Sequence, residues 1–130
     1  MIAADTNIVV RLLVEDSPAQ VASARHLLQT RGIYLLPGVI METEWVLRSI
    51  FRWSRARVNQ TLTDLLTVTN VTTETPEALR WALARHAEGA DLADMLHLVA
   101  AKNLDGFITF DHALKQSAGS APPVAIEVLG

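Results

Sequence analysis

Short apolar runs alternate along the chain with longer stretches in which apolar residues recur every three or four positions. Ile2 to Ala4 is a brief apolar start that runs into Asp5-Thr6-Asn7, and Ile8 to Val14 reads as helix. Ser17-Pro18-Ala19-Gln20 predicts a helix start, with Ser at the cap, Pro at the first helical position and Gln three residues past the cap. That helix is predicted to end at Arg31-Gly32, a basic last turn followed by glycine. Ile33 to Leu36 is a strand candidate closed by Pro37-Gly38, and Val39 to Phe51 is helical. Ser54 caps a helix that buries Val58, Leu62, Leu65 and Leu66 at helical spacing. Val68 to Thr73 is a β-branched strand candidate, Thr75-Pro76 opens a helix closed by Gly89, and Asp91 caps a helix running to about Asn103. Phe107 to Phe110 is a strand ending at Asp111, the tract Gln116 to Pro123 reads as loop, and Val124 to Val128 is a last strand.

Alternation of strand and helix predicts a parallel sheet covered by helices on both faces. The length of 130 residues, without repeat or linker, fits one domain over 1–130. In such sheets ligands bind at the carboxyl ends of the strands, which makes the position of each acid informative.

Asp5 directly follows the first strand and Asp111 the strand 107–110. Either alone is also an ordinary cap or turn residue. Asp94 lies one turn into a helix, on the face of Leu98 and Ala101, so its carboxylate is expected to point inward. It could equally be a capping partner of Asp91. Glu42 lies on the line Val39, Val46, Ile50, read as core-facing, whereas Glu44 has Arg48 four residues later, a favourable helix ion pair. Glu42 is therefore the site candidate. Carboxylates that converge stay ionised together only if a cation neutralises them. With no cysteine in the chain, all-oxygen coordination points to Mg²⁺, Mn²⁺ or Ca²⁺, and a few carboxylates plus waters suit Mg²⁺.

Composition narrows the partners. Half the residues are apolar, enough for a core at this length. The N-terminus lacks the pattern of a signal peptide and no stretch has the length and apolarity of a membrane span, which with the absence of cysteine suggests a cytoplasmic protein. A net charge of −3 means that nucleic acid would be held locally and not by bulk charge. Arg48, Arg52, Arg55 and Arg57 form the clearest basic patch, either a solvated helix end or a substrate contact. Of the histidines, His97 could share a ligand site with Asp94 and His112 could touch phosphate, while His26 and His86 carry no signal. Trp45, Phe51 and Trp53 cannot all face one core; Trp53 is the candidate partner-surface residue.

Taken together, these segments resemble a PIN-domain ribonuclease, and more narrowly a VapC-type toxin of a toxin–antitoxin pair. The resemblance covers nearly the whole chain. It runs through Asp5-Thr6-Asn7 after the first strand, Leu36 to Arg48 with Glu42 at the second acid, Gly89 to Leu98 with Asp94 at the third and Asp91 as companion, and Phe107 to Asp111 with the fourth acid and a hydroxyl at Thr109. It implies a PIN-like three-layer α/β/α sandwich with a central, mainly parallel sheet, and a metal-dependent endoribonuclease. Asp5, Glu42, Asp94 and Asp111 would be the catalytic and metal-binding acids for Mg²⁺ or Mn²⁺. Thr6, Asn7, Asp91 and Thr109 would support them, with Arg48, Arg52 and His112 as RNA contacts. It further implies a homodimer inhibited by a cognate antitoxin. Rival readings are an RNA-processing nuclease outside a toxin pair and a silent scaffold of the same fold. A phospho-acceptor module fits less well, because it wants adjacent acids after the first strand, where Thr6-Asn7 stand.

Overall fold

Every strand pairing is parallel, and a parallel neighbour can be reached only by a crossover, so the chain returns through helices each time. The computed structural model describes all residues, Met1–Gly130, in two compact units, Met1–Pro76 and Glu77–Gly130. Seven helices and five short strands make the mixed α/β class that the alternation predicts.

The first unit contains β1 (Ile2–Ala3), α1 (Thr6–Val14), α2 (Pro18–Arg31), β2 (Ile33–Leu35), α3 (Pro37–Ser49), α4 (Arg55–Leu65) and β3 (Val71–Thr73). Its sheet has the order β1-β2-β3, with Ala3 opposite Tyr34 and Tyr34 opposite Thr72. Parallel register puts the carboxyl ends of all three strands at one edge. Here β1 runs through Ala4 and Asp5 into α1, and β2 through Leu36 into α3. Ile33, Leu35, Val9, Leu47 and Val58 are almost fully buried and form its core. Gly32 turns the chain from α2 into β2 at φ +73; a side chain there would also crowd the Asn70 carbonyl at 3.2 Å.

The second unit contains α5 (Pro76–Ala87, entered at the boundary), α6 (Leu92–Ala100), β4 (Phe107–Thr109), α7 (His112–Ala118) and β5 (Ile126–Val128). β4 and β5 pair with Ile108 opposite Glu127, and Thr109 is the last paired residue before the chain turns at Asp111 into α7. Met95, Leu98, Ala82 and Leu83 form the buried apolar stripe of α5 and α6.

Several expectations need correction. Pro37 and Gly38 open α3 and do not merely close the strand, because Pro suits the first helical turn, where its missing N–H has no acceptor to lose. The expected capping box at α2 does not form: Ser17 makes no side-chain cap bond, and Gln20 accepts a hydrogen bond from Arg11 instead. The strand 68–73 shortens to Val71–Thr73, and the helix expected to reach Asn103 stops at Ala100. Part of the tract read as loop is helix, since α7 extends to Ala118 and the loop begins only at Gly119.

The largest correction concerns α3. Its buried face is Ile40, Thr43, Glu44 and Leu47, while Ile50 is 60% exposed and Val39 and Val46 are only half-buried. The line assigned to the core is one residue out of phase. Thr43 tolerates burial because its hydroxyl donates to the Val39 carbonyl, and Glu44 because Arg48 pairs with it at 2.8 Å. This phase has a measurable consequence. Leu47→Ala is expected to destabilise the fold by about 2–5 kcal/mol, and Ile50→Ala by no more than about 0.5 kcal/mol, in urea melts. Equal losses would restore the other face.

Candidate active site

The first pair of candidate acids meets in the first unit. Asp5 is the N-cap of α1, extended at φ −69 and ψ 157, and its carboxylate accepts a hydrogen bond from the Thr6 amide at 2.8 Å. That satisfies one free N–H at the helix end and places a negative charge at the positive end of the helix dipole. Thr6, at the first helical position, is only 6% exposed, and its hydroxyl donates to the Glu42 carboxylate. A residue at the start of α1 thus reaches across to α3, which packs against it. One oxygen of Glu42 is held by this bond, worth on the order of 1 kcal/mol at such a partly exposed position.

Glu42 itself is exposed, which corrects the argument that singled it out. It does not sit on a buried seam; Glu44 does, at 7% exposure, and is tied to Arg48. What distinguishes Glu42 is the Thr6 hydroxyl, a signal visible only in three dimensions. Asn7 is exposed and lines an apolar groove between α1 and α2 with Ile8, Ala19, Ala24 and Leu27.

The other acids gather in the second unit. Asp91 caps α6 and accepts a hydrogen bond from the Asp94 amide at 3.0 Å. Asp111 caps α7, accepting from the Ala113 amide at 2.9 Å, while its own amide donates to the Thr109 hydroxyl at 3.0 Å. Thr109 therefore sets the direction in which the chain leaves β4. Asp94 receives a cap and does not supply one. It lies half-buried above the buried Leu98 and Ala101, as its helical phase predicts. Burial first, then the charges of Asp91 and Asp111, push its carboxyl above the usual aspartate range, partly offset by His97. The helix dipole favours a charge here, whereas burial and like-charge repulsion oppose it.

Capping thus explains where Asp5, Asp91 and Asp111 stand but not why an acid stands at Asp94. No three His, Asp or Glu side chains of the chain come together as a ready-made ligand cluster. The donor set is nonetheless one of hard oxygens, and the repulsion at Asp94 is what a cation relieves, so the residues suit a divalent ion such as Mg²⁺ or Mn²⁺.

Of the remaining candidates, Arg48 is occupied by Glu44, whereas Arg52 is exposed with a left-handed backbone at φ +59. His112 is exposed at the start of α7, and His97 is exposed on α6. Trp53 is not the open aromatic that its position suggests: Arg57 lies 3.7 Å over its ring, and the exposed one is Trp45, at 52%. His86, read in sequence as carrying no signal, is fully buried on α5. Its spacing from Leu79, Ala82 and Leu83, all buried, was the available signal.

The raised carboxyl of Asp94 gives an expectation with a definite sign. A group whose pKa is raised on folding favours the folded state at low pH, and that contribution is lost as pH rises through the raised value. Metal-free Asp94→Asn is therefore expected to melt above wild type near pH 7, with the gap closing as pH falls toward about 4. Thermal melts in EDTA across that range check it; a variant that melts lower at every pH would make Asp94 a plain helix-end charge.

The comparisons with known proteins add one finding. The profile of the family described as PIN domain matches residues 2–119. No curated protein and no solved structure matches the chain.

Proposed function

The chain belongs to the PIN domain family, a nuclease fold, and from that premise we propose that it is an Mg²⁺- or Mn²⁺-dependent endoribonuclease. The proposed ligands are Asp5, Glu42, Asp94 and Asp111. The observation that carries the reading is Asp94, a half-buried carboxyl set against two like charges on a helix start, where fold stability alone disfavours it.

A bound divalent ion would polarise the phosphodiester and lower the pKa of an attacking water. The chain's own contribution is orientation. The Thr6 hydroxyl fixes one oxygen of Glu42 and leaves the other for a ligand. The Thr6 amide holds Asp5 in place, the Ala113 amide holds the Asp111 carboxylate, and the Thr109 hydroxyl anchors the Asp111 backbone amide. Partial burial at Asp94 strengthens every electrostatic interaction made there, because the local dielectric is lower than in water.

The same reading extends to biology. The chain is the toxin of a toxin–antitoxin pair, assembles as a homodimer, and is silenced by a partner protein that covers these acids. The four-motif resemblance supports this assignment, and no helix is long and apolar enough to cross a membrane.

Purified protein is expected to cut RNA in Mg²⁺ or Mn²⁺ and to stop in EDTA. Asp5→Asn is a clean probe, since Asn caps a helix as well as Asp does while removing the charge. It should lose at least about 100-fold in rate with an unchanged melting temperature. Glu42→Gln should behave in the same way, whereas Glu44→Gln should lower stability because it unpairs Arg48 from a buried partner. Thr6→Val should lower activity by roughly 10–100-fold, with Thr6→Ser restoring it. Cleavage by Asp5→Asn at the wild-type rate would refute the assignment.

A further inference from the structure

Residues 45–63 contain four arginines and no acid, within a chain whose net charge is −3. This stretch spans the end of α3, the turn to α4 and most of α4. The turn is tightly built: the Ile50 and Phe51 amides both donate to the Val46 carbonyl, and the Trp53 amide donates to the Leu47 carbonyl at 3.0 Å. Ser54 then caps α4, accepting from the Arg57 amide at 3.2 Å. Arg48 pairs with Glu44 while remaining exposed, and Arg52, Arg55 and Arg57 are exposed as well. Arg52 has a left-handed backbone at φ +59, and the Arg57 guanidinium lies 3.7 Å over the Trp53 ring. A guanidinium fixed on an aromatic face loses less freedom on binding and presents a flat, charged surface.

We propose that the α3–α4 turn is the docking surface for single-stranded RNA, with Arg52 and Arg57 contacting phosphates and the Arg57–Trp53 stack offering a face to a base. The inference rests on the nuclease reading above and assigns its substrate contact to a part of the chain outside the acids. RNA is favoured over an acidic protein segment by the alternation of arginine with aromatic residues, since bases have faces that stack and glutamate side chains do not. Trp45, 52% exposed on α3, extends the same aromatic character.

The test separates binding from cleavage. Anisotropy of a fluorescein-labelled single-stranded 20-mer RNA is measured in EDTA with the full chain, from low to moderate salt. The double variant Arg52→Ala/Arg57→Ala should weaken binding at least about tenfold and flatten the salt slope by roughly 1.4, about 0.7 for each phosphate no longer neutralised. Arg25→Ala/Arg31→Ala removes equal charge from α2 and should change both far less. Arg57→Lys keeps the charge but not the flat stack, and should fall between. Melting temperatures confirm that each variant is folded. Binding and KM for RNA unchanged in Arg52→Ala/Arg57→Ala would overturn the proposal. So would displacement of the RNA by poly-glutamate at equal charge, which assigns the turn to an acidic protein. Intact binding by a wild-type chain that never cuts RNA in Mn²⁺ would instead remove the nuclease reading and leave this surface standing.

Discussion

Parallel strand pairing is the constraint on which the rest depends. A parallel neighbour cannot be reached by a tight turn, so β1, β2 and β3 are each separated by helix, and their carboxyl ends fall at one edge. At that edge a strand gives way to a helix within a few residues, leaving free backbone N–H groups that need an acceptor. Asp5 fills that need at α1, and Asp111 fills the same need where β4 passes into α7. The topology thereby collects carboxylates at helix starts before any chemistry is asked of them.

Capping and the proposed ligation make compatible demands on one carboxylate. A cap contributes on the order of 1 kcal/mol and uses one carboxylate oxygen, with the second oxygen and the charge left over. Asp94 shows the limit of this economy. Its amide is already capped by Asp91, so its carboxylate adds burial and repulsion without a cap in return. A group kept at a loss to stability points to work done elsewhere in the life of the protein, and the work proposed for it is the holding of a cation. Thr6 and Thr109 complete the arrangement: the Thr6 hydroxyl holds the Glu42 carboxylate, and the Thr109 hydroxyl holds the backbone amide of Asp111.

Most of the fold is legible in sequence because its signals are local. Arg31-Gly32, Ser54, Gly89 and Asp91 each terminate or start a helix where the structure has a boundary. Less legible is anything set by phase or distance. The face of α3 misleads in sequence because Val39, Val46 and Ile50 look apolar enough to be core, while Glu44 looks too polar. Arg48 reverses that ordering by pairing with Glu44 where it is buried. Glu42 keeps its candidacy for a reason absent from the linear chain, a hydroxyl 36 residues away. Trp53 misleads for a similar reason, since its cover, Arg57, belongs to the next helix. The positions of Asp5, Asp91 and Asp111 can be read from strand ends and caps alone; their joint role cannot.

The central claim is that these carboxylates bind one kind of ligand, a hard divalent cation. Calorimetric titration of Mn²⁺ into the metal-free protein tests it most directly, with Asp5→Asn, Glu42→Gln, Asp94→Asn and Asp111→Asn titrated alongside. The account expects saturable binding by wild type and affinity at least about tenfold weaker in each variant, at unchanged secondary structure. Mn²⁺ affinity that is the same in wild type and in all of these variants would contradict it.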